Sequence, residues 1–300
     1  MKTRLTYLTL GPLLVLFISS CANLEHVNTF ATVSENALSS ETGIGYSFTQ
    51  SCEDFDCKMD QGIGLYYYPV TGDQMKVAFT DSIKCNCDAF KNADKALTTI
   101  NGVLNAYLTG LANLSGSKAV NYNYGNLVTA INTTSTKLSL SSTEVTALGN
   151  IATTVSNDLV DTYRRNKLRE IIRKADPDVQ ITLSAYIKQM QIFRDVILKG
   201  DLRTLANWYS GYLAENSTKL SSYEKGKIYQ DYLDQKAKIA SYQTLTDSFI
   251  SALQKIQTGH SALVKDADHL TETTVKEIIN GYSADIFSLI SQFNKLKSSN

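Results

Sequence analysis

Three prolines, three histidines and one tryptophan in 300 residues leave several classes of protein without their raw material. Scarce proline removes the commonest interruption of a helix and argues against a proline-rich linker or a disordered chain. Histidine is confined to His26, His260 and His269. The chain has no HExxH, no zinc-deaminase pattern, no GxSxG, and no P-loop or GxGxxG in a strand–helix setting. Lysine plus arginine and aspartate plus glutamate both number 29, a formal charge of zero. That balance lacks the basic excess of a nucleic-acid binder, and no RNA- or DNA-binding motif is present. Past residue 20 there is no apolar run long enough to span a bilayer, and no repeat of fixed period.

What the chain does have is regular apolar spacing in a polar background with seventeen tyrosines. Val179, Leu183, Tyr186, Met190, Phe193 and Ile197 step alternately by four and three. So do Val275, Ile279, Tyr282, Ile286, Leu289, Phe293 and Leu296, and a third stripe runs Tyr242, Leu245, Phe249, Leu253 and Ile256. These are one-face stripes at the heptad period that packs helices at shallow angles. The expected fold is mainly α, an antiparallel long-helix bundle over 89–297 with short connections. Its punctuation reads as follows. Ser142 or Thr143 caps a helix running through Lys174, and Asp176-Pro177 opens the next. Gly200 closes that one and Asp201 caps another, which Gly211 or Tyr223–Gly226 interrupts. Gly259 precedes the last helix.

Ahead of the bundle, residues 43–88 read as a cysteine-containing insert. Two β-rich runs, Leu65–Val70 and Met75–Thr80, flank Thr71-Gly72-Asp73-Gln74, a hairpin signal. Cys52, Cys57, Cys85 and Cys87 lie on either side. In an oxidising compartment the expectation is a small disulfide-stapled β-hairpin. Nested pairing of Cys57 with Cys85 and Cys52 with Cys87 suits antiparallel strands best, though four cysteines allow three connectivities. A four-thiolate zinc site is the competing arrangement, with spacings unlike those of common zinc ribbons. Residues 21–42 read as a polar tether with a short helix near Asn28–Leu38.

Residues 1–20 have the parts of an export signal: Lys2 and Arg4, an apolar stretch from Leu5 to Ile18, then Ser19 and Ser20 before Cys21. Ile18-Ser19-Ser20-Cys21 resembles the lipobox of bacterial lipoproteins. The resemblance implies that the Cys21 thiol receives diacylglycerol, that the signal is cut before it and that the new amine is acylated. Two or more acyl chains anchor stably where one does not. Ala22 in place of aspartate implies the outer membrane by the enterobacterial sorting rule. An ordinary secretory cleavage releasing a chain that starts at Asn23 is the alternative. The stretch from Tyr163-Arg164-Arg165-Asn166-Lys167-Leu168-Arg169-Glu170-Ile171-Ile172 to Asp176-Pro177 resembles a segment of uncharacterised helical lipoproteins of Gram-negative bacteria. That likeness covers about 90–200 and implies no activity.

Candidate chemistry is sparse. His260, Asp266, Asp268 and His269 are the one histidine–carboxylate group, with caps and a solvated surface as the competing explanation. Glu53, Asp54, Asp56 and Asp60 offer oxygen ligands at a spacing of no known calcium loop. Arg164, Arg165, Lys167, Arg169, Arg173 and Lys174 form a basic run suited to an anionic partner or to a solvated helix face. Tyr66, Tyr67 and Tyr68 alternate faces on a strand, which suits a binding surface and equally suits a cover over the bundle. No metal or other cofactor is expected. The function expected is non-enzymatic: a lipoprotein held to the membrane through Cys21, facing the periplasm or surface, and presenting a helical surface to an envelope protein or cell-wall partner. The alternatives are a periplasmic metal-dependent protein or enzyme using His260 and His269, and a self-protection lipoprotein of the immunity type.

Overall fold

The computed structural model describes residues 24–59, 66–70, 74–78, 86–116, 140–158 and 164–298. Cys21 and the signal segment lie outside these residues.

The chain enters as helix α1 (Glu25–Ser39), and this corrects the expected tether. Val27, Phe30, Ala31, Ala37 and Leu38 recur at helical spacing and are buried with the main core. The segment looks polar because its buried face is narrow and partly made of alanine and serine. Asparagines from two helices fix it in place. Asn28 donates to the Ala112 carbonyl at 2.6 Å, and Asn101 donates to the Leu38 carbonyl at 2.9 Å. Ala112 and Asn101 both lie on α3 (Asp88–Ser115), which therefore runs antiparallel to α1.

After a 3₁₀ turn (Ser40–Ile44) comes the short α2 (Phe48–Ser51), prolonged by a π-helical stretch, Cys52–Met59. Asp94 of α3 caps α2 from a distance, accepting from the Phe48 and Thr49 amides at 3.0 and 2.9 Å. Ile44, Phe48 and Phe55 join the main core, so the described start of the 43–88 segment is part of the bundle wall. Strands β1 (Tyr66–Val70) and β2 (Gln74–Ala78) pair antiparallel with Tyr68 opposite Lys76, and Gln74 is already paired with Val70. Thr71, Gly72 and Asp73 lie outside the described residues. Cys52 is bonded to Cys87 at 2.01 Å, joining the start of the π-helical stretch to the residue preceding α3. Cys85 and the Cys57 side chain lie outside the described residues.

The remaining helices are α4 (Ser142–Asp158), α5 (Arg164–Ile192), α6 (Lys199–Glu215), α7 (Ser222–Lys265) and α8 (Thr273–Ser298). Ser141, one residue earlier than expected, caps α4 reciprocally with Glu144. The helix expected to run through Lys174 is described to Asp158 and again from Arg164, and residues 159–163 lie outside the described residues. All three heptad stripes face inward, and Tyr186 meets Phe249 edge-on at 5.4 Å near the centre.

Three expected boundaries are interior positions. Pro177 lies inside α5. Interior proline costs about 3 kcal/mol and one backbone hydrogen bond, and burial of Ile171, Ile172, Ala175, Val179 and Leu183 around it offsets that. Gly200 does not stop the chain: α5 passes through a π-helical stretch, Phe193–Leu198, directly into α6. Gly259 lies within α7, where a Cβ would sit 2.4 Å from Phe30 Cε2. Its hydrogen lets α1 and α7 approach closely.

Arg164 to Glu215 is thus one helical path of about 78 Å, at 1.5 Å per residue. The turn at 216–221 reverses it into α7, about 66 Å long. At one end of this long hairpin, Arg169 and Arg173 reach Asp268 in the α7–α8 connection, beside the start of α1 and the end of α3. At the other end the hairpin leaves the bundle as an arm, and between Tyr209 and Ile239 no residue is buried.

Candidate functional site

Three places gather polar or aromatic side chains. The most enclosed is a hydrogen-bonded chain at the core. Tyr107 Oη lies 2.7 Å from His260 Nε2, and His260 Nδ1 lies 2.9 Å from Asp176 Oδ1. Tyr107 is fully buried, and burial beside Asp176 pushes its phenol well above the usual value. It therefore keeps its proton and donates to Nε2. With Nε2 accepting from Tyr107, the ring proton that completes the chain is the one on Nδ1, which donates to the Asp176 carboxylate. The His260 bond, with a further one from Gln180 at 3.0 Å, holds the Asp176 carboxyl below its usual range. The order Tyr–His–Asp matches the geometry of a relayed nucleophile, but Tyr107 and His260 are 0% and 1% exposed. With no solvent access to the hydroxyl, the arrangement satisfies buried polar groups and fixes α3, α5 and α7 to one another.

The second place is a cleft of about 400 Å³ at the root of the arm. Its floor is aromatic. Tyr46 and Tyr242 stack with centroids 4.7 Å apart and 5° between planes, and Phe55 lies alongside. Gln50, Asp54, Gln235 and Lys238 stand around it. Behind the floor, the buried Asp201 accepts from Ser51 Oγ at 2.7 Å and from Tyr46 Oη at 3.3 Å. Burial and the nearby Asp201 and Asp54 push the Tyr46 phenol strongly upward, so it stays a donor. Asp201, expected as a helix cap, is instead the acceptor that orients this wall. The Cys52–Cys87 bond holds the Gln50–Phe55 wall to α3.

The third place is the arm. Trp208 and Tyr212 stack at 5.6 Å with 7° between planes, and Tyr209 donates a very short bond to Asp231 across the hairpin. Trp208, Tyr212, Tyr223 and Tyr229 are the large apolar side chains that the arm exposes. Its aliphatic residues turn inward or are half-covered.

The candidates read from the sequence are dispersed. His269 is exposed and bonded to Glu272 at 2.6 Å, while His260 is sealed in the core with both ring nitrogens engaged. Asp268 is engaged by Arg169 and Arg173. Lys167 is half-buried. The side chains of Arg164 and Arg165, and Tyr66–Tyr68 on their strand, lie outside what is described. Glu53 is exposed and Asp54 half-buried at the cleft. No group of three potential ligands is arranged to hold a metal ion among the described residues. With Cys52 and Cys87 joined, a four-thiolate zinc site has lost two ligands. Tyr107, Asp176, Asp201 and Tyr46 had no local signal in the sequence, because their partners are 84 to 155 residues away.

Comparison with family models, with curated proteins and with solved structures finds nothing that matches this chain.

Proposed function

We propose that the chain is a non-enzymatic lipoprotein of the bacterial envelope, anchored by acyl chains on Cys21 and presenting the α6–α7 arm to a partner. The single observation that carries the reading is that Leu24, where the described chain joins the bundle, lies at the end opposite the exposed aromatic arm. The lipobox-like Ile18-Ser19-Ser20-Cys21 ends three residues before Leu24, which is already buried against the bundle. The exposed aromatic arm lies at the other end. An anchor at Cys21 therefore leaves almost no slack, and the arm extends away from the bilayer. Exposed tryptophan and tyrosine with few aliphatics is the composition of an interaction surface. The outer membrane is the membrane proposed, on Ala22, and an envelope protein or cell-wall polymer is the partner.

Within the same reading, the paired strands and the flanking cysteines form a stapled hairpin, with Cys57–Cys85 as the inner bond. Peptide mapping without reduction should yield both nested links, and a Cys57–Cys87 link would refute the scheme.

Photocrosslinkers at Tyr212 and Tyr223, introduced in intact cells, test the surface. The expected result is a discrete adduct from both positions and none from Glu277 on the bundle. A monomer without adducts in all growth conditions would contradict the proposal.

A further inference from the structure

The cleft at the root of the arm combines an aromatic lining with a rim that both gives and accepts hydrogen bonds. Two primary amides, Gln50 and Gln235, each present donors and an acceptor on one planar group. Asp54 and Lys238 contribute one charge of each sign, so the rim as a whole has no preference for an ion. Tyr46 and Tyr242, half-buried and stacked on each other, line the cleft together with Phe55, Tyr209 and Ile239. The volume, about 400 Å³, falls at the small end of ligand pockets, ~300–1,000 Å³.

These properties match a molecule with an apolar face and a polar edge but no net charge. A pyranose ring has both: axial C–H bonds on its faces, and hydroxyls around the rim at the spacing that a carboxamide can bridge. The walls are also fixed before any ligand arrives. Asp201 holds the Tyr46 hydroxyl, and the disulfide ties the Gln50–Phe55 wall to α3. Such preorganisation lowers the ordering cost of binding.

We propose that this cleft binds a neutral saccharide of one or two pyranose rings, packed against the Tyr46–Tyr242 pair and hydrogen-bonded by Gln50 and Gln235. The site does not depend on lipidation, so it stands or falls separately from the anchor.

Calorimetric titration of the full, detergent-solubilised protein with diacetylchitobiose, cellobiose and maltose tests it, with phenylalanine as a smaller aromatic zwitterion for comparison. At least one disaccharide should saturate a single site. Its affinity should drop by about tenfold in Tyr242→Ala, as expected for loss of an aromatic contact. Gln235→Ala lies on the exposed rim, where the fold does not need it, and should weaken binding by a similar factor. Phe287→Ala on the far face of α8 should leave binding unchanged. The proposal is overturned if no disaccharide saturates, if phenylalanine binds in their place, or if Gln235→Ala binds as tightly as the parent.

Discussion

Gly259 and Gly281 are both helical glycines and respond oppositely to the same change. A Cβ at Gly259 meets the Phe30 ring at 2.4 Å, whereas at Gly281 nothing lies within 4 Å. Gly259→Ala should lower stability by about 1–3 kcal/mol through overpacking. Gly281→Ala should raise it by about 0.5–1 kcal/mol through helix propensity. Thermal melting of the two variants checks both signs. His26 gives a pH prediction. It is buried in α1, with neither ring nitrogen partnered among the described residues. Burial, and then nearby Lys276, lowers its pKa from 6.5. The unfolded chain therefore takes up a proton there first, so stability is full above pH 6.5 and falls as the pH drops below it. His26→Leu should flatten that part of the stability–pH curve, and an unchanged slope would assign the dependence elsewhere. At this scale the sequence was a poor guide. His260 looked like a loop residue because Gly259 looked like a helix stop, and the contact that requires Gly259 comes from Phe30, far away in the chain.

Helical elements were legible wherever a stripe was long and strongly apolar. The three heptad stripes lie in α5, α7 and α8 and face the core, since period alone determines which face a helix buries. Boundaries were not legible where a local breaker was outweighed by tertiary burial. Pro177 and Gly200 sit inside one long helical path because the residues around them are buried. Helix α1 was legible only as a short helix near Asn28–Leu38, and its packing on the bundle was not, because its buried face is short and partly made of small residues. The break that does occur, at 216–221, carries its own signature. Ser221 and Glu224 form a reciprocal capping box, with Glu224 accepting from the Ser221 amide at 2.8 Å. Ser221→Ala should cost about 1 kcal/mol. Because this end of α7 is exposed, the loss should appear as faster amide exchange at the start of α7, with little change in the global melting temperature. Equal slowing or speeding across the whole bundle would contradict a local role.

On the scale of the molecule, the bundle is a rod with two different ends. One end gathers the start of α1, the end of α3 and the Arg169–Arg173–Asp268 cluster. The other is the arm. The Cys52–Cys87 bond closes a loop with a sequence separation of 35 and ties the cleft wall to α3. Its removal by Cys52→Ala with Cys87→Ala should cost about 3–4 kcal/mol, read from denaturant unfolding. The mainly helical architecture could be read from the sequence. The arm, the cleft and the sealed Tyr107–His260–Asp176 chain could not, because each depends on which helices become neighbours. The account rests above all on the proposed anchor, since lipid at Cys21 would turn a rod with two ends into one with an inside and an outside. The direct measurement is growth with an alkyne-tagged fatty acid, followed by intact mass of the purified protein. The account predicts label on the parent, none on Cys21→Ser, and a mass matching an acylated chain that begins at Cys21. Label retained by Cys21→Ser, or an unlabelled parent that begins at Asn23, would contradict it.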